Sequence, residues 1–219
     1  MPFDELRHNV WAITRKLYEC DLIRLSAGNV SAREGDHVAI TPSGVTYDRL
    51  QAEDILIINR DGQVVDGRPG LRPSSEYQLH TAILRELPAV RAVVHTHSTY
   101  ALTFSALGRE IAPVSIELVA AGGAIPVAPY ACPGTPEVGQ VSVEILKARP
   151  ELKGLLLQNH GLVSVGATLE QAYEVAYDIE VGAQVYWRAL QVGDPVVLTG
   201  EQMREARERY RLFSAGGAE

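Results

Sequence analysis

Cysteine is almost absent from this sequence: only Cys20 and Cys132 occur, far apart and outside any C-x-x-C spacing. That excludes a disulfide framework and suits a reducing compartment. Positive charge is also in deficit. With a formal net charge of −7, the chain offers no basic surface for wrapping nucleic acid, though a local pocket for an anionic substrate stays open. Long apolar runs are missing as well. The longest uncharged stretch, Leu118–Pro136, is broken by Gly122, Gly123 and Gly134 and by Pro126, Pro129, Pro133 and Pro136, so it cannot be a spanning helix. Asp4 and Glu5 stand where a secretory signal would need a basic start and an apolar centre. The expectation is a soluble cytoplasmic protein with neither nucleic acid nor membrane as partner.

What is present is ordinary globular composition, 46% apolar and 21% charged over 219 residues, enough for one sizeable core in a single domain over 1–219. Leu6, Val10, Ile13 and Leu17 make one helical stripe, in a helix expected to end near Asp21. Val30–Arg33 and His37–Thr41 read as a hairpin, and Ile55–Asn59 with Gln63–Val65 as a second. A helix is expected to open at Ser74-Ser75, where Ser75 and Gln78 have capping-box spacing, and to run to about Leu87. Strands follow at 90–97, 125–128, 155–157 and 163–165, and helices at 137–148, 168–191 and 201–213, with Thr168 and Gln171 spaced as a second capping box. Hairpins mixed with flanking helices predict an α/β fold, a three-layer α/β/α sandwich around a mixed, mostly antiparallel sheet.

Chemistry concentrates in a few places. His95 and His97 stand at i and i+2 at the end of an apolar strand, which puts both rings on one face. His160 ends another apolar strand and precedes Gly161, so it is the best third ligand for a catalytic zinc, which commonly takes three protein ligands and keeps a position open. Ordinary polar residues at strand ends are the bland alternative. His80, four residues after Glu76 on one helical face, reads as a packing or supporting residue rather than a ligand. Three turns, Gly28-Asn29, Ser43-Gly44 and Ser74-Ser75, could offer backbone N–H groups and hydroxyls to a phosphate; taken singly, each is a common turn or cap. Glu76 is either a carboxylate favoured by the helix dipole or, beside a metal, a general base for a proton on carbon next to a carbonyl.

Taken in order, Ala27-Gly28-Asn29-Val30-Ser31, Thr41-Pro42-Ser43-Gly44, Pro73-Ser74-Ser75-Glu76, Val93-Val94-His95-Thr96-His97 and Asn159-His160-Gly161 resemble the class II sugar-phosphate aldolase/epimerase family. The resemblance runs on through Ala121-Gly122-Gly123 and Ile125–Tyr130. It implies one Zn2+ per subunit on His95, His97 and His160, phosphate contacts from Gly28, Asn29, Ser43, Gly44, Ser74 and Ser75, and Glu76 as catalytic acid/base. It also implies a homotetramer with active sites at subunit interfaces, into which Tyr210 reaches from a neighbour as proton donor. The implied reaction is reversible cleavage of a ketose 1-phosphate, fuculose 1-phosphate-like, to dihydroxyacetone phosphate and a small aldehyde through a metal-stabilised enediolate.

The epimerase branch typically has aspartate at the position of Glu76, which favours the aldolase side over a pentulose-phosphate epimerase. One departure stands out: Ser115-Ile116-Glu117-Leu118 lacks the second functional tyrosine of the fuculose-type aldolases. Glu117 instead falls where a related methylthioribulose-1-phosphate dehydratase carries its catalytic glutamate, so a dehydratase is the nearer rival. A non-catalytic metal-containing binding protein is the remaining alternative.

Overall fold

The computed structural model describes residues 3–215, with side chains through residue 209. Helix α1 (Asp4–Glu19) leads into strands β1 (Asn29–Glu34), β2 (His37–Ile40), β3 (Leu56–Ile58) and β4 (Val64–Asp66). Next come α2 (Tyr77–Glu86), β5 (Ala92–Thr96), α3 (Thr99–Leu107), α4 (Ile116–Ala120), β6 (Val127–Ala128) and α5 (Pro136–Ala148). Strands β7 (Gly154–Leu157) and β8 (Gly161–Gly166) and helices α6 (Leu169–Val192) and α7 (Gly200–Ala215) complete the described chain. The strands form one 8-stranded sheet ordered β4-β3-β2-β1-β5-β8-β7-β6. Only β6–β7 pairs in parallel; the other neighbours are antiparallel.

Alternation along the strands builds the layers, because successive side chains point to opposite faces. Val30, Ala32, Ala92 and Val94 face one way and pack with Val10 and Leu17 of α1, Phe104 of α3 and Ile179 of α6. Val38, Ile40, Val93 and Val163 face the other way, onto Leu79 and Ile83 of α2 and Val143 of α5. The outcome is the expected α/β/α sandwich around a mixed, mostly antiparallel sheet. Among the described residues no helix is long and apolar enough to cross a membrane.

Two features differ from the sequence reading. Helices α3 and α4 were not expected. Helix α2 starts at Tyr77 with Glu76 as its N-cap and no side-chain cap, so the Ser75–Gln78 capping box does not form. The reason is tertiary: Ser74 N–H is committed to the Thr41 carbonyl at 3.0 Å and Ser43 N–H to the Arg72 carbonyl at 2.9 Å. These bonds hold the segment before Glu76 in a bridge, and the helix cannot begin until the chain leaves it. The second capping site forms, with Thr168 Oγ1 accepting the Gln171 N–H at 3.2 Å.

Candidate metal centre

Strand β5 delivers the first two histidines. It lies between β1 and β8, with His95 opposite Asn29 on one side and Val163 on the other. His95 shares the face of Val93, the face covered by α2, and is wholly buried. Its Nδ1–H donates to the Leu162 carbonyl at 2.9 Å, which fixes the tautomer and leaves Nε2 with a free lone pair. His97 follows just beyond the strand, and its Nε2 lies 3.0 Å from His95 Nε2. Burial, and after it the neighbouring His95 and His160, pushes His97 down to about 4, so it is neutral near pH 7.

His160 arrives on the turn from β7 to β8. Asn159 before it adopts a left-handed φ of 56°, and Gly161 after it lets the strands close on the rings. A Cβ at Gly161 would stand 2.4 Å from the Thr96 carbonyl oxygen, 3.1 Å from His95 Cε1 and 3.2 Å from His97 Cδ2. The three rings stand edge to face, with centroids 4.9, 4.7 and 5.3 Å apart.

Glu76 completes the cluster. Oε2 lies 3.2 Å from His95 Nε2, and Oε1 lies 3.0 Å from His160 Nε2. One ligand atom from each of Glu76, His95, His97 and His160 falls within 4.8 Å of the others. Burial works to raise the Glu76 carboxyl, but His95 and His160 outweigh it and hold the group well below the usual carboxylate range. Glu76 Oε1, although close to His160 Nε2, makes no hydrogen bond among the described residues, and neither does the buried His160 Nδ1. Unpaired buried polar atoms are costly, so converging lone pairs of this kind call for a cation. Imidazole and carboxylate donors suit a divalent ion such as zinc, bound at about 2.0–2.1 Å.

The three candidate phosphate turns lie side by side. Besides the bonds that tie Thr41–Ser43 to Arg72–Ser74, Tyr47 joins the 43–47 loop to the first turn: its N–H donates to the Leu25 carbonyl at 2.9 Å and its hydroxyl to the Gly28 carbonyl. Gly28 is buried at φ 87°, and a Cβ there would stand 2.7 Å from the His95 carbonyl oxygen. Ser43, Gly44 and Ser75 are exposed, whereas Ser74 is buried with its hydroxyl accepting the Glu76 N–H at 3.3 Å. Asn29 is turned inward: its Nδ2–H donates to Glu76 Oε2 at 2.9 Å.

Residues 8–187 match the family described as Class II Aldolase and Adducin N-terminal domain. The chain belongs to this family. The 5-methylthioribulose-1-phosphate/5-deoxyribulose-1-phosphate aldolase of Rhodospirillum rubrum is 35% identical over 209 residues, 95% of this chain and 92% of that protein. The L-fuculose phosphate aldolase of Escherichia coli is 39% identical over 190 residues, 86% of each chain. A solved L-fuculose 1-phosphate aldolase superposes with a TM-score of 0.88 at 29% identity, covering 94% of this chain and 96% of that one.

Glu117, the position of the related dehydratase's glutamate, stands apart from the cluster. Glu117 is on α4, where burial, Glu117 and Glu174 together raise Asp178 of α6 to about 6. It is not one of the four converging donors. Tyr210 falls within α7, but its side chain lies outside the described residues. Three further residues shape the centre without having been read from the sequence as part of it. Ser105 of α3 accepts the His160 N–H at 3.2 Å and donates to the Leu157 carbonyl. Ser31 meets His80 at 2.7 Å, and Tyr47 pins the Gly28 loop. Ser105 had a faint local signal, since Ser98 and Gly108 bracket an apolar segment as helix-end residues.

Proposed function

We propose that this protein is a zinc-dependent aldolase that reversibly cleaves a ketose 1-phosphate to dihydroxyacetone phosphate and a small aldehyde. The convergence of three imidazoles and the Glu76 carboxylate carries the reading. A divalent cation held by His95, His97 and His160 would act as a Lewis acid, offsetting the negative charge that develops on the sugar oxygens as the carbon–carbon bond breaks.

The remaining work belongs to the chain. Glu76 exchanges a proton with the carbon that becomes dihydroxyacetone phosphate, a role supported by its burial against the histidines. The turns bearing Gly28, Asn29, Ser43, Gly44, Ser74 and Ser75 form the proposed phosphate site; the exposed Ser43–Gly44 and Ser75 turns would receive the phosphate, while the Asn29 amide serves Glu76, and phosphate binding orients the reacting end. Tyr210 of a neighbouring subunit serves the aldehyde oxygen in a homotetramer whose active sites lie at subunit interfaces.

The aldehyde half is proposed to be short and deoxygenated at its end, in keeping with the deoxyribulose, methylthioribulose and fuculose phosphates in the relatives' names. A retro-aldol assay on fuculose 1-phosphate, 5-deoxyribulose 1-phosphate and 5-methylthioribulose 1-phosphate, scored by release of dihydroxyacetone phosphate, tests this. Loss of water without carbon–carbon cleavage would instead favour the dehydratase that Glu117 suggests. No turnover of any of them by the zinc-loaded protein would remove the proposal.

A further inference from the structure

Behind Glu76, between the sheet and α2, lies a line of polar side chains enclosed by aliphatic ones. Ser31 and His80 are 0% exposed and Asn29 is 4% exposed. Asn29 and Ser31 sit two apart on β1, facing α2, while Val30 and Ala32 between and beyond them pack into the opposite core. A buried imidazole is costly unless both nitrogens find partners. Both do here: Nδ1 lies 2.7 Å from Ser31 Oγ, and Nε2 contacts Asn29 Oδ1. Asn29 in turn donates to Glu76 Oε2 at 2.9 Å.

The direction of every bond follows from the Glu76 end. Asn29 presents Nδ2–H to Glu76 Oε2, so its carbonyl oxygen is the end that faces His80. That oxygen only accepts, so His80 Nε2 carries the hydrogen. Burial pushes His80 down to about 3, so the ring is neutral and its Nδ1 accepts the Ser31 hydroxyl. Reversing any link would set two donors or two acceptors face to face in a buried site.

We propose that His80 is a positioning residue for Glu76: by locking the Asn29 amide, it keeps Oε2 as a hydrogen-bond acceptor and leaves Oε1 as the oxygen that exchanges the substrate proton. Oε1, 3.0 Å from His160 Nε2, is the Glu76 oxygen with no hydrogen-bond partner among the described residues. The inference rests on the acid/base role proposed for Glu76 and adds which oxygen works and what orients it.

The test compares zinc-loaded wild type with His80→Leu, His80→Gln, Ser31→Ala and Glu76→Gln. Glutamine can present an N–H near the place of Nε2; leucine cannot. His80→Leu should lower kcat, and deuterium uptake from solvent into dihydroxyacetone phosphate, on the order of 10-fold, with KM and bound zinc little changed. His80→Gln should recover most of that loss, and Ser31→Ala should show a smaller fall of the same kind. Wild-type kcat in a folded His80→Leu, or glutamine as damaging as leucine, overturns the proposal. Should the leucine variant not fold, wild-type kcat in Ser31→Ala overturns it instead. Nitrogen-15 shifts of His80 must report the Nε2–H tautomer, and an Nδ1–H tautomer refutes the lock whatever the assay shows. Wild-type deuterium exchange in Glu76→Gln would end the acid/base reading itself, a result distinct from a failure confined to the His80 variants.

Discussion

Ser105 holds His160 in place: its hydroxyl accepts the His160 N–H at 3.2 Å while donating to the Leu157 carbonyl three residues earlier. One buried side chain thereby closes the β7–β8 turn from both ends. Its backbone carbonyl also accepts the Asn159 N–H at 3.3 Å. Ser105→Ala removes both hydroxyl bonds and leaves the turn held by backbone bonds alone, His160 N–H to the Leu157 carbonyl at 3.0 Å and Asn159 N–H to the residue 105 carbonyl. Zinc affinity should fall about 10–100-fold, as for other groups that orient a ligand, and chelator competition measures it. Unchanged affinity would show that the turn is rigid without Ser105.

Gly161 is where β8 passes closest to the histidines. Gly161→Ala would put a methyl 2.4 Å from the Thr96 carbonyl oxygen, a backbone atom that has little room to retreat. The expected outcome is displaced His95 and His97 rings, a metal-poor protein and a loss of about 1–3 kcal/mol of stability from overpacking. Metal analysis beside a denaturant melt would detect both. Full zinc occupancy in this variant would contradict the geometry of the site.

Glu76 and His97 should separate by what they lose. Glu76→Gln keeps the shape and three imidazoles, so zinc should remain while turnover drops roughly 10²–10⁴-fold. His97→Ala should lose zinc as well. Metal content per chain measured alongside steady-state rates distinguishes the two, and an active, zinc-replete His97→Ala would remove His97 as a ligand.

Acid should destabilise the metal-free protein through its buried rings. His80 is pushed from its ordinary 6.5 down to about 3 by burial, and then by the charge of His95. The unfolded chain therefore binds this proton at a higher pH than the folded chain. Stability is complete above about 6.5 and is lost as pH falls toward 3. The slope approaches about 1.4 kcal/mol per pH unit for such a group. His97, lowered to about 4, acts in the same direction. Urea midpoints measured between those pH values should decline steadily for wild type and less steeply for His80→Gln.

The Thr168 cap lies outside the metal centre and should affect stability alone. Its hydroxyl satisfies a free N–H at the start of α6, the longest helix described. Thr168→Ala should cost about 1 kcal/mol in thermal or urea unfolding without changing zinc content or kcat. A change in zinc content would mean that α6 transmits strain to the site.

Legibility followed the range of the forces involved. The period of two in Val93–His97 and the run Leu155–Leu157 before His160 are local patterns, and they exposed the strands and the rings they carry. Helix α3 was not legible, because Thr99–Leu107 lies against the core with no charged face to give it a period. Ser105 was lost with it. Asn29 belongs to a candidate phosphate turn by its local sequence, yet its side chain faces Glu76 and His80, 47 and 51 residues away. No local pattern encodes that distance. Ser75 erred the other way: good local spacing for a cap was overridden by the bridge from Thr41 to Ser74.

The donors of the cluster come from the start of α2, the end of β5 and the turn before β8, with His160 84 positions after Glu76 along the chain. An unfolded chain cannot gather them, so affinity for an ion held there would be spent entirely on the native state. Each tenfold rise in free cation above its dissociation constant then adds about 1.4 kcal/mol to folding. The melting temperature becomes a gauge of the surrounding metal supply, and starvation for that metal would thin the population of intact protein as well as its activity.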